Sequence, residues 1–320
     1  MNKKLLIGSC GGLTGYYLIK HFNKIWPKLT IYGIDSGLVN PSRLFVDTFI
    51  QVNPADKEES FIKDIINIIN LNAIDFYLPT HSVECRLVSK YIEKIRSSTN
   101  IKILISPYAA YATLDNKANA YSELKQIGVC VPQVYTKGEK PVFPLLAKPI
   151  LSSGSKGIKL ITNEEELDLV LKRGNYIIME YLRGVEYTAD ILFDHRSNVF
   201  TYNQRKRVKV LGGAAVISEN DFSCECLNDI SAIGKAFKIK GPANMQFFLT
   251  ENNSTIFFDI NLRFASGGLP LSVESGADIP VALVRLLNGD TVNPDEFKSD
   301  RKPRRMYRCF EEFYEEINYI

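Results

Sequence analysis

The feature that most restricts this chain is the rhythm of its first third, where short apolar runs alternate with amphipathic segments. Leu5 to Gly8, Thr30 to Ile34 and Ile74 to Pro79 have the length of buried strands, whereas Leu13 to Ile25, Phe61 to Ile69 and Val83 to Ile95 carry apolar residues at helical spacing. This βαβαβα order predicts a parallel sheet covered by helices on both faces, with Ile101 to Ile105 as a further strand. The carboxyl ends of such strands form a ligand-facing rim.

Beyond Leu114 the pattern changes. Asp115 is placed to cap a helix running to Gln126, Gly128 closes it and Pro132 prevents its continuation. Leu145 to Pro149 and Ile158 to Thr162 read as strands flanking a Ser/Gly loop, Asn163 caps a helix from Glu164 to Lys172, and Tyr176 to Met179 is a strand. Further strands are expected at Glu186 to Phe193, Val199 to Asn203, Ala243 to Thr250 and Thr255 to Leu262, with a helix near Asn228 to Lys238. The fold class is therefore α/β: a parallel-sheet βαβ domain (residues 1–113), then a two-lobed α+β domain with a small lobe (114–182) and a large one (183–320).

Composition removes several function classes. A chain of 320 residues suits two or three compact units, and 45% hydrophobic against 23% charged residues is the balance of a globular protein. Net charge is +3 and the basic stretches at Arg205 to Lys209 and Arg301 to Arg305 are short and separated, which argues against nucleic acid. Six scattered cysteines without a CxxC pair fit reduced thiols, and the apolar run after Lys4 is too short for a signal peptide or membrane span. A cytoplasmic protein without a membrane anchor is expected.

Gly8, Gly11, Gly12 and Gly15 follow the first strand and Asp35 ends the second, which suggests a dinucleotide site, but GxGxxG would require glycine where Cys10 stands. The glycines then serve close helix–strand packing. Gly11 and Gly12 still open a helix whose amides could hold an anionic substrate group, and Thr80 and Glu84 lie on the same rim beside His81.

Three segments carry the chemistry. Lys148 precedes a loop containing Ser152, Ser153, Gly154, Ser155 and Gly157, a lysine and hydroxyl-rich glycine loop suited to covering phosphates although no GxxxxGK[ST] occurs. Ile177 to Glu180 runs into Tyr181, Leu182 and Glu186, where freed backbone groups could read an adenine edge and Glu186 could accept ribose hydroxyls. In Phe257-Phe-Asp259-Ile-Asn261-Leu-Arg263, strand alternation puts Asp259, Asn261 and Arg263 on one face and Phe258, Ile260 and Leu262 on the other. A carboxylate and an amide oxygen suit Mg²⁺, Gln246 on the preceding strand adds a further oxygen, and the arginine can offset charge on a transferred phosphoryl group.

Taken in order, Asp115-Asn-Lys117, Lys148 with its loop, Glu180 to Glu186, Asn244-Met-Gln246 and Asp259 to Arg263 resemble the ATP-grasp superfamily, and within it the carbamoyl-phosphate-synthetase-like carboxylate–amine ligases. The resemblance implies that the opening βαβ unit is a pre-ATP-grasp domain and that ATP lies between two lobes. Lys117 and Lys148 would meet the phosphates, Glu180 to Leu182 the adenine and Glu186 the ribose. Gln246, Asp259 and Asn261 would ligate one or two Mg²⁺ ions, with Mn²⁺ as a substitute, and Arg263 would face the transferred group. Asp259 stands where the family usually has glutamate, which bears on how many ions bind. Arg207 is a candidate for phosphate or substrate carboxylate, and Ser266, Gly267 and Gly268 for the acceptor pocket. The implied activity joins a small carboxylate to an amine through an acylphosphate, with a homodimer compatible. Phosphorylation of bicarbonate or carbamate, and non-catalytic nucleotide binding, are the alternatives.

Overall fold

Leu5, Leu6 and Ile7 have no exposed surface at all, and a central strand is what hides such a run on both faces. In the computed structural model, which describes residues 2–151, 157–309 and 311–316, they form β1 (Lys4–Ile7). There follow α1 (Leu13–Ile25), β2 (Thr30–Asp35), β3 (Thr48–Gln51), α2 (Glu58–Asn72), β4 (Phe76–Leu78), α3 (Ser82–Lys90) and α4 (Ile92–Ser98). The strands pair in parallel in the order β3-β2-β1-β4. β3 escapes the sequence reading because a four-residue, half-exposed edge strand carries too little hydropathic signal.

The strand expected at Ile101 to Ile105 is reduced to one bridge, Phe76 with Lys102. The segment leaves the sheet because its end is held elsewhere: Ser106 Oγ donates to the Lys240 carbonyl and accepts from the Lys240 amide, each at 3.0 Å.

α5 (Tyr108–Leu114) and α6 (Lys117–Gln126) come next, and the cap of α6 is Asn116 rather than Asp115. The Asn116 side chain accepts from the amides of Ala118 and Asn119, while Asp115 ends α5. β5 (Leu145–Pro149), β6 (Lys159–Ile161), α7 (Glu164–Leu171) and β7 (Tyr176–Glu180) then build a three-stranded antiparallel sheet in the order β6-β5-β7. Asn163 caps α7 as its sequence position requires.

The remaining elements are β8 (Val185–Phe193), β9 (Val199–Leu211), β10 (Ala214–Asn220), α8 (Leu227–Ala236), β11 (Gly241–Leu249), β12 (Thr255–Asn261), α9 (Leu269–Glu274), α10 (Ile279–Asn288) and β13 (Arg305–Tyr307). Their strands form a six-stranded antiparallel sheet in the order β12-β11-β8-β9-β10-β13. β9 runs well past the Asn203 limit expected from hydropathy. Its extension contains Arg205, which is 1% exposed because Asp190 of β8 pairs with it through Nε and Nη2 at 3.0 and 3.1 Å. Gly212 and Gly213, both at positive φ, then make the two-residue turn into β10.

One apolar core joins Ile62 and Ile65 of α2, Tyr121 of α6 and Phe247 of β11, and a second joins Leu5, Phe22 and Leu283. The small sheet packs around its own cluster of Leu145, Ile161 and Leu167. No helix among the described residues is long and apolar enough to cross a membrane.

Candidate active site

Lys148 is set near the end of β5, where a strand buried by its neighbours leaves the lysine 8% exposed. Its Nζ lies 4.4 Å from the Phe258 ring centroid, a cation–π contact. Removal from water pushes its amine down to about 8, against the opposing pull of Asp259; Lys117 adds to the depression and Glu186 opposes it.

Phe258 belongs to the main apolar core, as strand alternation requires, and it also lines the same cleft as Asp259. The reason is a bulge: Gln246 pairs with Asp259 but the next residue, Phe247, pairs with Phe257, so Phe258 is the extra residue. The bulge sets an apolar ring under Lys148 and leaves Asp259, Asn261 and Arg263 on the cleft side as expected.

This cleft, of about 280 Å³, brings together Lys117, Lys148, Gln246, Asp259, Asn261 and Arg263. Glu186 and Ser266 border it as well, with Gly212 and Gly213 of the β9–β10 turn and the apolar walls Leu146, Ile158 and Phe248. Asn261 Nδ2 donates to Asp259 Oδ2 at 2.8 Å, and Asn244 Nδ2 donates to the Arg263 carbonyl at 3.1 Å, so the polar strand face is held in place by its own members. Arg263 donates from Nε to Ser82 Oγ at 2.6 Å and from Nη1 to the Phe264 carbonyl at 2.9 Å. Its burial lowers the guanidinium from its ordinary value without neutralising it.

Glu186 faces Arg207, whose Nε is 2.7 Å from Glu186 Oε1, although the contact lies off the hydrogen-bond axis and leaves Nε without a hydrogen-bond partner among the described residues. Desolvation raises the Glu186 carboxyl and lowers the Arg207 guanidinium, the direction expected when burial outweighs a close pair. Arg207 also donates to the Gly213 carbonyl at 3.1 Å. It is thus engaged with the rim of the cleft rather than standing open toward a ligand.

The hinge candidates lie apart. Glu180 Oε1 accepts from the Gln133 amide at 2.8 Å, and Glu180 and Tyr181 border a separate depression of about 380 Å³ with Tyr135 and Arg183. Leu182 borders neither cleft. Gly157, at φ +76°, is exposed, while Ser152, Ser153, Gly154 and Ser155 lie outside the described residues.

A larger cleft of about 730 Å³ opens over the carboxyl ends of the parallel strands and shares Arg263 and Ser266 with the first. Gly11, Gly12, Thr80 and Glu84 line it as the rim argument requires. Two of them point their bonding groups inward to the protein. Glu84, 1% exposed, accepts from Tyr77 Oη at 2.6 Å, Ser9 Oγ at 2.8 Å and the Thr80 amide at 3.1 Å, while Thr80 Oγ1 donates to the Gly8 carbonyl at 2.8 Å. Burial raises the Glu84 carboxyl, against these hydrogen bonds.

Gly267 and Gly268 are glycines for packing reasons. A Cβ on Gly268 would fall 1.9 Å from the Arg205 guanidinium, and one on Gly267 2.6 Å from the Ala215 amide nitrogen. Their loop is pinned by Arg308, whose Nη1 donates to the carbonyls of Ser266 and Gly267 at 2.8 and 3.1 Å. Ser82, Phe258 and Arg308 carry no local sequence signal for this site, because each reaches it through contacts distant in the chain.

The family described as ATP-grasp in the biosynthetic pathway with Ter operon matches residues 172–308, the span that holds β8 to β12 and the polar strand face. Over that span, a little under half of the 320 residues, the chain is similar to the ATP-grasp family. Its similarity to the carbamoyl phosphate synthase large chain of Clostridium botulinum (strain Loch Maree / Type A3) is 25% identity over 193 residues, covering 53% of this chain and 17% of that one. With the D-alanine–D-alanine ligase of Fusobacterium nucleatum it shares 27% identity over 150 residues, covering 43% of this chain and 52% of the relative. The match thus spans about a sixth of the first relative and about half of the second. The ATP-grasp fold extends over nearly the whole chain. N5-carboxyaminoimidazole synthetase from Staphylococcus aureus, solved with ADP, superposes with a TM-score of 0.75 at 16% identity, covering 97% of this chain and 83% of that one.

Proposed function

We propose that this protein is a carboxylate–amine ligase of the ATP-grasp kind, forming an amide or peptide bond through an acylphosphate with release of ADP and phosphate. The observation that carries the reading is the convergence of Lys117 from the start of α6, Lys148 from β5, Asp259 from β12 and Arg263 from just beyond it on one cleft. Two ammonium groups and a guanidinium around Asp259, with the second carboxylate, Glu186, already paired with Arg207, suit a polyphosphate accompanied by a cation better than they suit a neutral ligand.

The donor set fits Mg²⁺. Asp259 offers a carboxylate and Gln246 and Asn261 amide oxygens, all hard ligands, and among the described residues there is no cluster of three acidic, histidine or cysteine side chains that would hold an ion without help. A bound Mg²⁺ would supply charge neutralisation between phosphate oxygens, with nucleotide and water completing its shell. Asp259, as the single carboxylate of the strand face, favours one tightly held ion over two.

The chain's own residues do the rest. Lys148 and Lys117 orient the phosphates, and Arg263 offsets charge as a substrate carboxylate oxygen attacks the terminal phosphorus. ADP leaves as the new oxygen–phosphorus bond forms. The acceptor amine then attacks the acyl carbon, loses a proton and displaces phosphate. The apolar walls Leu146, Phe248 and Phe258 limit water around Lys148 and Asp259, which protects a hydrolysable intermediate.

Magnesium-dependent ADP release with pooled amino acids and other small carboxylates tests the reading. Stimulated release that disappears in Lys148→Ala and Asp259→Ala is expected; ATP binding without stimulation by any pool would favour a regulatory nucleotide-binding role. The likeness to a carbamoyl phosphate synthase supports a second reading, phosphorylation of bicarbonate, for which ADP release would rise with bicarbonate alone.

A further inference from the structure

The larger cleft has a polarity that selects among substrates. Gly11 and Gly12 stand at the start of α1, where free amides would attract an anion, but the Gly11 amide already donates to Asp35 Oδ2 at 2.9 Å. A carboxylate of the protein therefore occupies the place an anionic ligand would take. Asp35 Oδ1 accepts from the Gly37 amide at 2.9 Å, so each oxygen keeps capacity for another donor.

Asn40 packs over Gly11 beside Asp35, close enough that a Cβ on Gly11 would meet Asn40 Cβ at 2.9 Å and Asp35 Oδ2 at 3.0 Å. Asn40 Nδ2 donates to the Gly37 carbonyl at 2.8 Å, which leaves Oδ1 as an acceptor that is buried and, among the described residues, without a hydrogen-bond partner. Asp56 lines the same cleft and forms no ion pair among the described residues. Among the described residues no lysine lines this cleft and its one arginine is Arg263, where it meets the phosphate cleft; burial, with the nearby Arg263, holds the His81 imidazole below its ordinary value. One end is thus rich in acceptors and negative charge, and the other is cationic and next to the phosphate site.

We infer that this cleft seats a small molecule whose cationic group, an ammonium or guanidinium, meets Asp35, Asp56 and Asn40 Oδ1, while its reacting carboxylate meets Arg263. The inference rests on the proposed ligase reading and names the class of carboxylate that reading leaves open. Asp35 disfavours an anionic head group beside the Gly11 amide. A volume of about 730 Å³ leaves room for more than a single short amino acid.

The test uses the full chain with Mg²⁺ and a non-hydrolysable ATP analogue, titrated calorimetrically with 5-aminovalerate, 5-hydroxyvalerate and glutarate as cation-headed, neutral and anion-headed probes. The expected result is saturable binding of 5-aminovalerate at least about tenfold tighter than either isostere, with the preference abolished in Asp35→Asn/Asp56→Asn while analogue binding persists. Equal binding of the three probes, tighter binding of glutarate, or an unchanged preference in the double variant would overturn the inference. Retained thermal unfolding of the variant shows that loss is not misfolding. The two readings fail separately: ADP release stimulated by neutral or anionic carboxylates would keep the ligase and sink this inference. Asp35-dependent binding of 5-aminovalerate with no ADP release for any carboxylate would do the reverse.

Discussion

Arg263 Nε donates to Ser82 Oγ at 2.6 Å, joining the polar strand face that ends β12 to the first residue of α3, 181 positions away in sequence. This bond sits where the two clefts meet, since Arg263 lines both and Ser82 lines the larger one. The guanidinium is thereby aimed by the parallel-sheet unit at the proposed phosphate site, built mostly by the large sheet.

Two substitutions separate aiming from charge. Arg263→Ala is expected to retain nucleotide binding and lose about 100-fold or more in the rate of stimulated ADP release, as for removal of a donor that acts on developing charge. Ser82→Ala removes one hydrogen bond, and a loss of about tenfold or less with little change in nucleotide affinity is expected. Steady-state kinetics beside nucleotide titrations check both, and equal losses would show that Arg263 serves only to hold the fold.

The depressed Lys148 amine makes a stability prediction with a definite sign. Its value is about 8 in the fold against 10.5 in the unfolded chain, so between those limits the unfolded state binds more protons and stability rises with pH. Below pH 8 the full cost of burying the charge is felt. Lys148→Met is therefore expected to be more stable than the parent at pH 7, by on the order of 2 kcal/mol, with the advantage fading toward about pH 10.5. Denaturant titrations at pH 7 and 10.5 measure it.

The same amine predicts proton uptake on nucleotide binding. Phosphate oxygens favour the charged lysine, so near pH 8, where the free amine is half protonated, ATP binding should draw up to about half a proton from solution, more at higher pH, and affinity should fall as pH rises above that value. Calorimetry in two buffers of different ionisation enthalpy reads the proton count, and the uptake should be absent in Lys148→Met.

Arg205 and Asp190 form a pair in which both residues are 1% exposed, supported by Ser272 Oγ on Asp190 Oδ2 at 2.6 Å and by Arg205 Nη1 to Ser218 Oγ at 3.3 Å. Arg205→Met leaves a buried carboxylate unpaired and should cost about 3–5 kcal/mol of unfolding free energy. Gly268→Ala forces a methyl against the same guanidinium and should destabilise by about 1–3 kcal/mol. Urea unfolding of both variants checks the pair, and a neutral Gly268→Ala would show that Arg205 can swing aside.

Local pattern was enough to make much of this protein legible. Strands β1, β2 and β4 follow from apolar runs that helices could not bury, and α7 follows from Asn163 ahead of an amphipathic stretch. The placement of Asp259 and Asn261 on the cleft side of β12 follows from strand alternation. These depend on neighbours a few residues away, which is the range over which backbone geometry and side-chain direction are set. What the tertiary structure alone decided involves compensation or contact over long separations. Arg205 continues β9 through the core because Asp190 neutralises it, and hydropathy cannot register a partner on another strand. Phe258 turns under Lys148 because the β11–β12 register slips by one residue, which alternation within a single strand cannot foresee. Gly11 looked like an anion site as the start of a helix, and became part of an acceptor-rich cleft only when β2 brought the Asp35 carboxylate onto its amide. A side chain's chemistry is written in the sequence, but whether it stays available to a ligand depends on which distant group the fold sets against it.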